Sequence, residues 1–539
     1  MKKIMKNLKL PLLVMAILLS ACKKEVETGI LNKSNFPEST TPLKDAADFP
    51  IGVAIDFTPM INNQQYREVA QRDFDGVTFS YHMKHGAIVR DDGTMNFTNT
   101  DALVQASDNL EIFGHTLGWH QNQNASYLKN FSGIVIPATV NLIQNGGFEL
   151  GGATNFNNWA TFNSGNPAGS ATITVGTGNE VRTGTRSMKV INPTAYPGNQ
   201  WRVQVASDLV PTIVGRQYTV SYWVRALSAG GSIRLSTQTS GGGEPQYQGD
   251  QTIGTAWQQV NWTITANSPQ TRILFDMGQA ANTYLIDDVN FSEAVVAPSG
   301  AQIVTRLDQA LNNFITQIVT RYKNKVKAWD VVNELFTEDG NIRNNNNTST
   351  TPSDVLVWSH YLGRDYALKA FNYARAADPN ADLYINDYNL ESSPRKLDSL
   401  IAFVGELKRK GAKVDGIGTQ MHIFWNSSHA GIDAMFQKLA ATGLKIRVSE
   451  LDVRINPTNK GSFIFDTYME GYQAQMYNYV VKSYIKHVPP AQRAGITIWG
   501  ISDNTSWLYN NGRDYPLLYR ADFSKKQAYG GVLDGLQKR

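Results

Sequence analysis

Val326-Lys-Ala-Trp-Asp-Val-Val-Asn-Glu334 is a mostly apolar run that closes on an amide and a carboxylate. A strand of a parallel barrel reads this way, buried along its length with its chemistry at the C-terminal end. Runs of the same kind lie on both sides of it. Downstream are Leu383–Tyr388, Gly416–His422, Ile446–Leu451 and Gly495–Trp499; upstream are Ile51–Asp56, Gly76–Ser80 and Ile112–His120. Helical patterns separate them, as where Leu307, Leu311, Phe314, Ile315, Ile318 and Val319 recur at helix spacing. Eight strands alternating with helices is the count of an α/β (β/α)8 TIM barrel.

The pattern is interrupted once. From Asn141 to Glu293 the chain is rich in Gly, Thr, Ser and Asn, with short alternating segments such as Gln217–Arg225 and Trp257–Ile264. This reads as an all-β jelly roll or β-sandwich. The expected organisation is barrel strands 1–3 over 46–137, an inserted sandwich over 138–296, and strands 4–8 over 297–539. An insert after strand 3 leaves the barrel on the face that carries the strand ends.

The 539-residue length accommodates both units, and a 42% hydrophobic content fits a folded chain. The formal charge of +4 is small and unclustered, which excludes nucleic acid as an expected partner. The N-terminus reads as an export signal: Lys2, Lys3, Lys6 and Lys9 precede an apolar stretch, Leu10–Leu19, too short to span a bilayer. It ends in Leu19-Ser-Ala-Cys22, which resembles a bacterial lipobox. Cys22 is the single cysteine, so no intramolecular disulfide can form. The expectation is a signal peptide over 1–21, lipidation at Cys22 and a polar tether over 22–45. Lys23 follows the cysteine, which favours the outer membrane or cell surface.

The strand ends, taken in order, carry His115, Trp119 and His120; Asn333 and Glu334; Asn386, Asp387 and Tyr388; Gln420 and His422; Glu450 and Asp452; then Trp499, with Asp503 and Trp507 beyond. Carboxylates, amides, imidazoles and indoles gathered at one barrel mouth suit carbohydrate hydrolysis. No Gly-x-Ser-x-Gly elbow lies near these ends, so an esterase is set aside. His115 and His120 lack further ligands at zinc spacing.

Gly114-His-Thr-Leu-Gly-Trp-His120, Trp329-Asp-Val-Val-Asn-Glu334, Gly416-Ile-Gly-Thr-Gln-Met-His422, Val448-Ser-Glu-Leu-Asp452 and Thr497-Ile-Trp-Gly500 resemble the ordered motifs of family 10 glycoside hydrolases. That family consists chiefly of retaining endo-β-1,4-xylanases. The resemblance implies Glu334 as acid/base and Glu450 as nucleophile, with xylan or xylo-oligosaccharides as substrate and no required cofactor. It implies that His422 orients Glu450 and that Asn333 holds the sugar 2-OH. Lys84, His115, Trp119 and Gln420 match glycone-side contacts, and Trp499 and Trp507 the cleft walls. One stretch departs. Where the family shows Glu-Asn before a Met-Lys-Trp run, this chain has Ser80-Tyr-His-Met-Lys-His85. Lys84 is kept, while the Asn and the Trp are replaced.

Asn141-Leu-Ile-Gln-Asn-Gly-Gly-Phe-Glu149 and Tyr284-Leu-Ile-Asp-Asp-Val-Asn-Phe291 resemble carbohydrate-binding modules of the family 4/9/22 group. Trp159, Trp201 and Tyr247 are the candidate sugar platforms, and Glu149 and Asp288 candidate oxygen ligands for a structural Ca2+. Two other readings stand beside the xylanase: a same-fold hydrolase of another β-1,4-glycan, and a non-catalytic surface glycan-binding lipoprotein.

Overall fold

The computed structural model describes residues 36, 39–135, 140–162, 171–240, 243–294, 297–461 and 463–537. The expected leader over 1–21, Cys22 and most of the expected tether over 22–45 lie outside these residues. Among the described residues no helix is long and apolar enough to cross a membrane. The chain divides into two compact units, one formed by residues up to Phe131 with those from Val304 onward, the other spanning Ser132–Ile303.

The first unit is a closed parallel barrel. Its strands are β1 (Ile51–Ile55), β2 (Gly76–Phe79), β3 (Glu111–Gly118), β4 (Val326–Asn333), β5 (Asp382–Asp387), β6 (Gly416–Thr419), β7 (Lys445–Arg454) and β8 (Arg493–Ile498). They pair in the order 6-5-4-3-2-1-8-7, and β6 pairs with β7 to close the ring. Every strand is parallel to its neighbours, so both faces are covered and the runs are apolar. Register is fixed by packing. Trp329 on β4 is fully buried against β3, where a Cβ on Gly114 would lie 2.1 Å from its ring. Only glycine lets the indole approach the backbone so closely.

The long helix Gly300–Tyr322 buries one stripe. Its buried side chains are Leu307, Ala310, Leu311, Phe314, Ile315, Ile318, Val319 and Tyr322, the stripe read from the sequence. Helix Thr467–His487 starts where the Asp466 carboxylate accepts from the Tyr468 and Met469 amides, satisfying two free N–H groups.

The second unit is a two-sheet antiparallel sandwich. One sheet orders strands 251–253, 231–239, 270–276, 204–207 and 159–162, with 210–211 on 270–276. The other orders 258–265, 217–226, 282–293, 187–192 and 172–176. Strand Gln217–Ala226 alternates strictly between buried and more exposed positions, as one face of a sandwich requires. Tyr222 meets Phe275 across the core, ring centroids 4.9 Å apart. The ends of this unit are tied together. Leu142 N donates to Phe291 O at 2.8 Å, and the Asn141 side chain accepts from Phe291 N and donates to Val289 O, both at 2.9 Å.

Candidate active site

Glu334 is the first residue past β4 and sits at φ 54°, in the left-handed region that a glutamate seldom adopts. The turn is held from two sides. Glu334 N donates to Asn386 O at 2.9 Å, and Arg343 Nε donates to Glu334 O at 2.8 Å. Strained backbone of this kind, fixed by surrounding bonds, gathers at functional sites. The half-buried Glu334 carboxylate accepts from Gln420 Nε2 at 3.1 Å.

Glu450 lies on β7 and is buried. Its Oε1 accepts from Asn386 Nδ2 at 2.8 Å, and its Oε2 lies 3.3 Å from His422 Nε2. Burial pushes this carboxyl up, but His115, His422 and Lys84 outweigh it and hold it below the ordinary carboxylate value. His422 is fixed in turn by Asp452, 2.8 Å from its Nδ1, on the register pairing His422 with Asp452. Burial alone would lower His422; Asp452 and Glu450 override it and raise it to about 10. A cation is thus kept against the carboxylate at neutral pH.

The two glutamates belong to one network. The β4–β5 register sets Asn333 opposite Asn386. Asn386 Nδ2 donates to Asn333 Oδ1 at 2.9 Å as well as to Glu450, and Gln420 Nε2 lies 3.4 Å from the same Asn333 oxygen. Asn386 Oδ1 accepts from Ser449 Oγ at 2.7 Å. Amides therefore run without a gap from Glu334 through Gln420, Asn333 and Asn386 to Glu450.

The remaining predicted residues surround this line. Lys84 is buried with its Nζ 4.5 Å from the centre of a Trp119 ring. Burial lowers its pKa, opposed by Glu450, Glu334 and Asp56. His115 Nδ1 lies 2.9 Å from Asp330 Oδ2, and its ring meets Trp499 edge-on at 5.3 Å. Trp507, 65% exposed, donates from Nε1 to Asp452 Oδ2 at 3.0 Å and lies 5.2 Å from His422. Lys84, His115, Trp119, Asn333, Gln420, His422, Trp499 and Trp507 thus share one barrel mouth with both glutamates. His115, Asp330 and Glu450 form the one acidic and imidazole group among the described residues close enough to hold an ion. His115 and Asp330 are bonded to each other through Nδ1 and Oδ2, and Glu450 is bonded to Asn386 and His422.

The sequence placed Asn386 and Asp387 at the end of strand 5 but gave neither a role, and Asn386 is the amide that bridges Glu450 to Asn333. Sequence reading also missed a buried ion pair at the end of β5, where Lys396 Nζ lies 2.9 Å from Asp387. Burial pushes the Asp387 carboxyl up to about 6 against the pull of Lys396.

In the sandwich the expectations divide. Trp159 is not a sugar platform: it is 8% exposed, packs on Phe148 and Phe275 and donates its Nε1 to Asn145 O. Trp201 and Tyr247 are 46% and 58% exposed. The Arg234 guanidinium lies 4.6 Å from the Tyr247 ring centre and pairs with buried Asp276, which also accepts from Gln204. Donors already engage both predicted cation ligands: Arg182 and the Thr183 hydroxyl bond the Asp288 carboxylate, and the Thr185 hydroxyl with the Thr185 and Arg186 amides bond that of Glu149. Its neighbour Asp287 is fully buried, and burial pushes its carboxyl up to about 6. Glu149 and Asp287 flank Gly147.

The sequence model of glycosyl hydrolase family 10 matches residues 42–142 and 290–535, and that of a carbohydrate binding domain matches 140–280. Endo-1,4-beta-xylanase A of Cellvibrio japonicus is 35% identical over 240 residues, 42% of this chain and 39% of that protein. Endo-1,4-beta-xylanase 3 of Hypocrea jecorina is 34% identical over 232 residues, 43% of this chain and 57% of that protein. A protein named exoglucanase XynX from Acetivibrio thermocellus is 34% identical over 238 residues, 42% of this chain and 19% of that protein. The matches therefore span less than two thirds of each of these relatives. Among solved structures, native xylanase 10C from Cellvibrio japonicus has a TM-score of 0.56 at 23% identity, covering 93% of this chain and 73% of that one. That likeness shows the shared fold. A family match over well over half the residues, on a closed barrel bearing both glutamates, establishes that the chain belongs to glycosyl hydrolase family 10, with a carbohydrate-binding domain interrupting it.

Proposed function

We propose that the chain is an endo-β-1,4-xylanase that cuts internal xylan bonds by retaining double displacement. The observation that carries this reading is the amide line through Gln420, Asn333 and Asn386, which hydrogen-bonds both carboxylates yet leaves them in unlike surroundings. Glu450, buried and held ionised, attacks the anomeric carbon. Its ester bond forms as the glycosidic C–O bond breaks, and Glu334 gives its proton to the leaving oxygen. Glu334 then takes a proton from water, which displaces Glu450 and restores the starting anomeric configuration. His422 orients Glu450. The Asn333 oxygen is engaged twice, so its amide nitrogen is left to hold the sugar 2-OH.

Anomeric NMR of products from xylan and from barley glucan tests substrate and stereochemistry together. Retained configuration from xylan is expected; inverted product, or preference for glucan, overturns the reading. The relative named exoglucanase makes the glucan arm necessary. Glu334→Ala should lose about 10²–10⁴-fold on xylan and far less on aryl xylobiosides with acidic phenols, which need no proton to leave. Glu450→Ala should lose activity on both.

We further propose that the inserted domain holds xylan on Trp201 and Tyr247, raising the local concentration of polymer near the barrel. A structural Ca2+ at Glu149 and Asp288 would have to displace the Thr185 and Arg186 donors from the first and the Thr183 and Arg182 donors from the second, and chelator should then lower the domain's melting temperature. Lipidation at Cys22 and residence at the outer membrane or cell surface complete the reading. Loss of fatty-acid labelling in Cys22→Ser tests the anchor.

A further inference from the structure

The other end of the barrel holds a cavity of about 230 Å³ among the N-terminal ends of the strands. Gly52 of β1, Gly76 of β2, Lys327 of β4 and Arg447 of β7 stand in its wall. At about 30 Å³ per water, it has room for a phosphate or a carboxylate group with part of its hydration. Lys327 is the second residue of β4 and Glu334 the first past its end, so the length of a strand separates this cavity from the catalytic mouth.

Arg447 decides what the cavity can hold. It is 9% exposed, and its charge is met by neutral groups. Nη1 donates to Ala494 O at 3.0 Å, Nη2 donates to Thr497 Oγ1 at 2.6 Å, and the guanidinium carbon lies 4.1 Å from the centre of the Phe113 ring. A guanidinium has five N–H groups, so three remain, and Nε is buried with no partner. Gly52 keeps one side of the group clear, since a Cβ there would lie 3.4 Å from Nη2. Among the described residues no carboxylate hydrogen-bonds to it; Asp330 and Glu111 act on its charge from farther off. The neighbouring charges lean the same way. Lys445 pairs with Asp382 at 2.5 Å and Arg493 with Asp48 at 3.9 Å, which leaves Arg447 and Lys327 against the carboxylate of Glu111. A desolvated cation held by a carbonyl, a hydroxyl and a ring keeps a burial cost that an anion would offset.

We propose that this cavity binds a small oxyanion, a carboxylate or a phosphate group, on the Arg447 guanidinium with Lys327 beside it. The guanidinium fork matches the paired oxygens of either group. An anion seated there ties β4 to β7 across the barrel floor, so occupancy raises barrel stability.

The full chain is melted in increasing phosphate, acetate or chloride at one pH and one ionic strength. Phosphate or acetate should raise the barrel's melting temperature by about 2 °C or more, saturably, and chloride should not. A rise with phosphate alone assigns a phosphate group, and a rise with acetate a carboxylate. Lys327→Met, at an exposed position, should weaken the apparent affinity about tenfold, and Arg447→Met should abolish the rise. If Arg447→Met does not fold, Lys327→Met decides. General salting effects grow without saturating and persist in the variants. That result, a response to phosphate and acetate no larger than to chloride, or a Lys327→Met response equal to the wild type's overturns the proposal.

Discussion

Replacing Asn386 by Asp changes one nitrogen to oxygen and should disable the site without emptying it. In the native protein Asn386 Nδ2 donates to Glu450 Oε1 at 2.8 Å. Losing a hydrogen bond to a charged partner costs about 1.5–3 kcal/mol, which is about 10- to 10²-fold in rate if the bond serves the transition state. The substitution also sets a second carboxyl against the first. Two carboxylates in contact cannot both ionise, so the pair should keep a proton to higher pH. Glu450 must be ionised to attack and is held low in the native site, so the acid limb of kcat/KM should move up in pH. The assay is kcat/KM on an aryl xylobioside from about pH 4 to about pH 8, with a melting curve to confirm folding. A variant that keeps the wild-type pH profile and a rate within about twofold would refute the bridging role of Asn386.

Three further outcomes are expected. Trp159→Ala should destabilise the sandwich by about 3–5 kcal/mol through lost core packing, read as its melting transition, whereas Trp201→Ala should leave that transition in place and weaken retention on xylan. Gly114→Ala forces a methyl into the Trp329 ring and should cost the barrel about 1–3 kcal/mol in a urea titration. Because the folded pKa of Glu450 is depressed, its charge contributes stability above the unfolded value of about 4.3, and this is lost as pH falls through the folded value. The stability difference between wild type and Glu450→Gln, from urea midpoints, should therefore shift against the wild type on acidification.

The barrel was legible because each strand is an apolar run that changes character abruptly at its end, and the change marks the mouth. That made Glu334, Glu450, Gln420 and His422 readable one at a time. Their connection was not readable. Asn386 matters because the β4–β5 register places it opposite Asn333, and a pairing between strands cannot be read from either strand alone. The sandwich was harder, because its short polar strands leave the buried face ambiguous. Trp159 and Trp201 look alike in sequence, and only pairing between strands 159–162 and 204–207 turns the first inward. The surroundings of Asp287 and Asp288 were hidden for a related reason. The strand 282–293 shifts register between Asp287 and Asn290, with Asp288 at φ 50°, so the two-residue period fails there.

The clasp between Asn141–Leu142 and Val289–Phe291 changes what the sandwich costs its host. Loop-closure entropy depends on the freedom of the intervening chain, and here that chain folds upon itself and returns to where it left. Entropically, the barrel sees only a short detour between its third and fourth strands. Such a cassette can be spliced in, exchanged or excised with modest change to barrel folding, which makes this point of the chain a natural port for joining one barrel to different inserted domains.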